Sequence, residues 1–280
     1  MHYGISTFAT ETTLQPAELG RELEARGFES LWLPEHTHIP ASRRTPWPGG
    51  PNLPEWYWHT YDPFVALTAV AGATTTLKLA TGICLIIERD TITTAKEIAT
   101  LDRLSGGRFI FGIGGGWNAE EMEDHGTAFK TRWRKLREQV LAMKAIWTED
   151  EPEFHGDYVN FDKLWAYPKP LQRPHPPVLM GGDGPTTFQR VVEFCDGWMP
   201  IWARPAPGPS LPEKIVLLRE QWTAAGRPGT PPVSVFQAPA DVDVVARLAD
   251  WGVDRVMFDL PNGDRDAQLR RLDDCAKLMR

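Results

Sequence analysis

The chain has 280 residues, of which 42% are hydrophobic and 24% charged, enough apolar material for a full core and too much for a disordered chain. Its formal net charge is −7 with no Lys- or Arg-rich run, which argues against a surface built for nucleic acid or anionic lipid. No apolar run approaches the roughly 20 residues of a membrane span, the start lacks the pattern of a secretion signal, and Cys84, Cys195 and Cys275 are odd in number and set among apolar residues, so a cytoplasmic protein with reduced thiols is expected.

Taken in chain order, short apolar runs alternate with helical patterns. The first runs are YGISTF (3–8) and SLWLP (30–34), the second leading into LPEHTHIP (33–40). Glu35 and His36 thus fall at the C-terminal end of a strand, where they can handle a proton or hydrogen-bond a ring edge. His36 and His38 also spell the H-x-H of zinc hydrolase barrels. That chemistry needs further histidines at later strand ends, whereas the fifth and sixth strands end in Gly-Gly and Pro-Ile-Trp, His175 precedes its strand and Asp259 alone fits, so no metal is expected. Residues 37–62 are rich in Pro, Gly and aromatics and follow the second strand, so they read as a substrate loop. Within it Trp56, Tyr57 and Trp58 cannot all face inward and suggest an apolar lid. Segments 63–73 and 91–104 read as apolar helices, the second stopping at Gly106-Gly107, with the strand LKLATGICLI (77–86) between them.

The fourth run, RFIFGIG (108–114), enters a stretch with four glycines in five positions, Gly112 and then Gly114, Gly115 and Gly116. A dinucleotide fingerprint starting at Gly112 needs glycine where Trp117 stands, so a Rossmann site fails and a glycine-rich strand-to-helix turn against which a flat ligand can lie is left. A helix over 130–147 follows, then a β-hairpin over 154–172 turning at Gly156-Asp157, near the opposite end of the strands. The fifth strand, PVLMGG (177–182), runs into Gly181, Gly182, Asp183 and Gly184. With Pro185 as first helical residue, unpaired N–H groups there suit a phosphate, provided that Asp183 caps the helix and points away. GWMPIW (197–202), VSVFQ (233–237) and RVMFDL (255–260) complete eight strands. The fold class predicted is α/β, a single (β/α)8 TIM barrel over 1–280 with insertions after strand 2 and helix 4.

In this order SLWLPEHTHIP, LKLATGICLI, LSGGRFIFGIGGGWNAEE, YPKPLQRPHPPVLMGG and CDGWMP resemble the luciferase-like monooxygenase superfamily, in its branch of deazaflavin (coenzyme F-420)-dependent oxidoreductases. The resemblance implies a bacterial-luciferase-like barrel, commonly a homodimer, with flavin or deazaflavin across its C-terminal mouth. It assigns Gly82, Ile83 and Cys84 to a bulge under the tricyclic ring, with a cis peptide at Gly82–Ile83. Gly114, Gly115 and Gly116 would flank the ring, and Gly181, Gly182, Asp183 and Gly184 would take the phosphate. Glu35 and His36 match an acidic-His pair beside the ring in deazaflavin-dependent sugar-phosphate dehydrogenases, but those enzymes carry a catalytic Glu where this chain has Trp117, which counts against that substrate. Bacterial luciferase has a phosphate-gripping Arg in the position of Gly115, and its loss tilts the cofactor toward coenzyme F-420. The function expected is hydride transfer between reduced coenzyme F-420 and an apolar or aromatic small molecule. His36 would handle the proton, Glu35 would orient it, Trp56, Tyr57, Trp58 and Trp117 would cover the substrate, and Glu120 and Glu121 would lie too far from the ring. The alternatives are an FMN-dependent monooxygenase and, from another class, a non-catalytic barrel that binds a small molecule.

Overall fold

The computed structural model describes residues 1–202 and 208–279. β1 (His2–Ser6), α1 (Pro16–Ala25) and β2 (Ser30–Leu33) are followed by the long insertion, which carries the short α2 (Trp56–His59) and ends at α3 (Pro63–Ala73). Next come β3 (Lys78–Thr81), α4 (Thr91–Leu104), β4 (Phe109–Ile113), α5 (Ala119–Asp124) and α6 (Arg132–Thr148). A two-stranded hairpin, β5 (Phe154–His155) and β6 (Asn160–Phe161), precedes β7 (Val178–Gly181) and α7 (Thr187–Phe194). β8 (Gly197–Met199), α8 (Leu211–Ala224), β9 (Ser234–Ala238), α9 (Val242–Asp250), β10 (Arg255–Asp259) and α10 (Arg265–Ala276) finish the chain.

Local chemistry sets these limits. Asp62 accepts from Val65 N and Asp90 from Thr93 N at the starts of α3 and α4, and Ser210 and Glu213 form a capping box on α8. Gly106 and Gly107 take positive φ of 70° and 81°, a conformation that suits glycine and stops α4.

The strands pair in parallel in the order β8-β7-β4-β3-β2-β1-β10-β9. β8 and β9 at the two ends meet through the parallel bridges Trp198↔Val233 and Ile201↔Phe236, with Phe236 N donating to Pro200 O and Trp202 N to Phe236 O. The sheet therefore closes into the expected (β/α)8 barrel, with isolated bridges at its seam. Inside the barrel Trp32, Ala80, Ile110, Leu179, Met199 and Met257 form a buried cluster that supports Ile83 and Phe236 above it. A larger shell fills the space between strands and helices. Trp32 fits inside because β1 offers Gly4, whose added Cβ would lie 2.5 Å from Ser30 Oγ and 3.1 Å from the indole nitrogen.

Two expectations are corrected. The third strand stops at Thr81, because the chain turns through the bulge into the 3₁₀ turn Ile86–Glu88. The hairpin ends at Phe161 and turns over residues 156–159, with Gly156 N donating to Val159 O and the Glu138 carboxylate accepting from the N–H groups of Asp157, Tyr158 and Val159. Residues 162–172 then lie along α4 and α6, where Lys169 Nζ donates to Ile146 O and Asp102 accepts from Leu171 N and Gln172 N.

Candidate active site

Seven of the eight barrel strands deliver residues to one cavity of about 280 Å³ at their C-terminal ends. Its floor is the bulge after β3. The Gly82–Ile83 peptide is cis, as expected, and the Ile83 side chain occupies the space that side chains on the neighbouring strands would fill. A Cβ on Gly114 would meet Ile83 Cδ1 at 2.2 Å, and one on Gly181 would meet Ile83 Cγ2 at 2.8 Å. These two glycines thus exist first to seat Ile83 and only through it to flatten the floor. A Cβ on Gly115 would meet the Trp133 indole at 2.7 Å, so an arginine in that position is excluded by a ring already there. Gly116 turns the chain at φ 62°. Cys84 is buried outside the lining of this cavity, its N–H donating to Gly112 O and its thiol set against Glu35.

His36 lines the cavity wall. Its Nδ1 lies 2.7 Å from Glu121 Oε2, and the other Glu121 oxygen accepts from Thr37 N at 3.1 Å. A carboxylate accepts, so Nδ1 carries the proton and Nε2 is left for a ligand. Tyr57 and Trp117 pack on the imidazole with ring centroids 5.2 and 5.8 Å away. Glu121 is fully buried on α5 and outside the cavity lining, yet it bonds His36 directly, a contact that the sequence did not reveal. Glu35 does not orient His36: its carboxylate accepts from Leu85 N and from the Arg89 guanidinium, which also grips Asp62 and Glu97. Side chains of adjacent residues at a strand end diverge, which separates Glu35 from its neighbour.

Two further acids frame the site. Glu120 accepts from Ser42 Oγ, Thr45 N and Arg44 Nε and ties the insertion to α5; those bonds, Ser42 first, hold its pKa down to about 2. Glu88 is buried with neither oxygen hydrogen-bonded, and burial, then the charges of Glu121 and Glu35, push its pKa up to about 9.

At the expected phosphate end, Gly182 lines the cavity at φ 103° with open space where a side chain would project, and its N–H lies 3.4 Å from Met199 O. Gly184 N is spent on Thr187 Oγ1, and the helix starts at Thr187, two residues after Pro185. Asp183 points into an ion pair with Lys214 at 2.6 Å instead of capping the helix. Neither Asp183 nor Gly184 lines the central cavity. Behind Trp133 stand two cations absent from the sequence reading, Arg190 at 3.8 Å and Arg132 at 5.3 Å from the indole centroid.

Of the three lid aromatics only Tyr57 reaches the site. Trp56 and Trp58 are exposed on the short helix α2, and Trp56 lines an adjoining cavity. Phe8, Trp133, Phe236 and Gln237 complete the wall, and nothing in their local sequence marks them out.

Comparison with known proteins places this geometry. The chain matches the luciferase-like monooxygenase family over residues 7–280. It is 40% identical over 270 residues to an uncharacterized Mycobacterium tuberculosis protein, covering 95% of this chain and 94% of that one. Over a shorter stretch of 91 residues it is 41% identical to the FMNH(2)-dependent dimethylsulfone monooxygenase of Pseudomonas putida, covering 31% of this chain and 25% of that one. Among solved structures, the monooxygenase RslO1 of Streptomyces bottropensis superposes with a TM-score of 0.84 at 18% identity over 100% of this chain and 98% of that one. An F420-dependent secondary alcohol dehydrogenase does so with a TM-score of 0.75 at 17% identity, over 100% and 99%.

Proposed function

Because the chain belongs to the luciferase-like monooxygenase family, we propose that it is an oxidoreductase that holds coenzyme F-420 across the barrel mouth and exchanges hydride between it and an apolar or aromatic small molecule. The observation that carries this reading is the cavity in which a glycine-flanked floor faces an imidazole held by a buried carboxylate. The residues fit a flat ring: Gly82 and Ile83 would lie beneath it, Gly114, Gly115 and Gly116 along one edge and Gly182 beside its phosphate-bearing chain. When bound, the deazaflavin supplies a two-electron hydride donor or acceptor. Arg132 and Arg190 lend a positive field to the Gly115 side, in place of the arginine that Trp133 excludes. As the imidazolium, His36 would give its Nε2 proton to the substrate atom that gains negative charge on reduction; as the neutral imidazole it would take that proton in the reverse direction, and Glu121, accepting from Nδ1, stabilises the charged form. Tyr57 and Trp117 keep water from the imidazole.

The test is an anaerobic assay of reduced coenzyme F-420 with aromatic and alkyl aldehydes, ketones and enones. Protein-dependent oxidation of the reduced deazaflavin by at least one of them is the expected result. Turnover only with reduced FMN, and only when oxygen is admitted, would replace this reading with that of an FMN-dependent monooxygenase.

A further inference from the structure

A second cavity, of about 410 Å³, opens beside the first between the insertion and the ends of β9 and β10, and shares Phe8, Tyr57 and Gln237 with it. Three of its walls are aromatic rings gathered round Tyr57, with Phe8 at 4.6 Å and Trp47 at 5.5 Å between centroids, and Trp56 adds a fourth. Among the described residues its lining holds one carboxylate, Asp259, and no Lys, Arg or His. Burial pushes the Asp259 carboxyl up from its ordinary pKa. The field of Arg271 on α10 and a hydrogen bond from Gln237 pull it back, and Cys275 on the same helix feels the Asp259 charge in turn. Gln237 is held at φ 56°, outside the comfortable range of a non-glycine residue, at a register shift between β9 and β10. The irregularity places it on the wall between the two cavities, where an unbroken strand would alternate past.

We propose that this cavity receives an organic ammonium group, so that the substrate of the enzyme is an amine in its protonated form, carried on an apolar or aromatic body that reaches the ring cavity. The inference rests on the reading of the barrel mouth as a cofactor site. An ammonium gains a charge-assisted hydrogen bond to Asp259 and lies against the faces of Phe8, Trp47, Trp56 and Tyr57, which attract cations. A carboxylate or phosphate on the substrate would face Asp259 with no cation in the lining to offset it, and a neutral alcohol could donate to Asp259 but would forgo the opposite charge and the attraction to the rings. The net charge of −7 favours the approach of a cation over that of an anion.

The probes are phenethylamine, protonated at neutral pH, its neutral isostere phenethyl alcohol and the anion phenylacetate, each titrated into the purified protein by calorimetry. Phenethylamine is expected to bind at least about ten-fold more tightly than either of the others, and Asp259→Asn to remove that preference. Equal binding of amine and alcohol by the wild-type protein overturns the proposal without recourse to any variant, and so does a preference that survives in Asp259→Asn. A parallel titration with coenzyme F-420 separates the two readings. An ammonium preference without deazaflavin binding sinks the cofactor assignment and leaves the cation cavity, whereas deazaflavin binding without the preference does the reverse.

Discussion

His36 and Glu121 stand 2.7 Å apart in a pocket walled by Tyr57 and Trp117, and this pair sets the expectation for mutants at the mouth of the barrel. With a substrate in hand, His36→Ala is expected to lower turnover by roughly 10²–10⁴-fold, the usual worth of a positioned proton donor, while deazaflavin affinity changes little. Glu121→Gln keeps the shape but not the charge, so it should lower kcat and flatten the pH profile while leaving KM nearly intact; steady-state kinetics across pH check both. Loss of cofactor affinity with unchanged turnover at saturation would make His36 a binding residue. Glu88 allows a prediction on stability. Its pKa rises from 4.5 to about 9 on folding, so the folded state keeps a proton that the unfolded chain releases. The associated stability is complete below about pH 4.5 and is lost as pH climbs toward 9. Glu88→Gln removes that loss, and its midpoint in urea should exceed that of the wild type at pH 8, by a stability on the order of a few kcal/mol, and converge with it near pH 4. At this scale His36 was legible, since a histidine at a strand end announces itself. Glu121 was not, because an acid one turn into the next helix counts as remote from the ring, and only the three-dimensional return of α5 to β2 shows what it holds.

The insertion between β2 and α3 owes its order to α5. Ser42, Arg44 and Thr45 all bond the Glu120 carboxylate, and Tyr57 reaches His36 from the far end of the same segment. Glu120→Gln keeps one acceptor and loses the charge-assisted bonds, so hydrogen exchange at residues 42–58 should quicken while the barrel strands keep their protection. Unchanged exchange in that segment would show the loop to be held by its aromatic packing instead. Element limits were readable where caps and glycines punctuate the chain: Pro63–Ala73 and Thr91–Leu104 begin and end at the residues expected. They were misread where tertiary contacts decide. The LKLATGICLI run is mostly apolar, yet half of it is bulge and turn because Ile83 must fill the barrel's top. Pro185 marks a helix start by type, but Thr187 takes the first helical place and its hydroxyl accepts from Gly184 N.

Eight apolar runs in alternation with helical patterns were sufficient to predict the barrel, because few other folds use eight βα units in a chain of this length. Its seam was not legible: β8 and β9 meet through isolated bridges that no residue pattern marks. Self-association is a property of the same scale. α3 leaves Val65 72% exposed and α4 leaves Ile92 40% exposed at adjacent N-terminal ends, and Ala69 and Gly72 extend a smooth outer face along α3. A homodimer through this face is expected, seen by light scattering as twice the 31.5 kDa chain mass, with Val65→Glu shifting it toward monomer. A single species at the chain mass across micromolar concentrations would contradict it.

A glycine-flanked floor with no arginine at Gly115, where Trp133 fills the space, is expected to hold coenzyme F-420 in preference to FMN. The most direct measurement is a side-by-side equilibrium titration of the apo protein with coenzyme F-420 and with FMN, read by tryptophan fluorescence. Tighter binding of coenzyme F-420, by about ten-fold or more, is the predicted result; equal or tighter binding of FMN would assign the barrel mouth to the flavin instead.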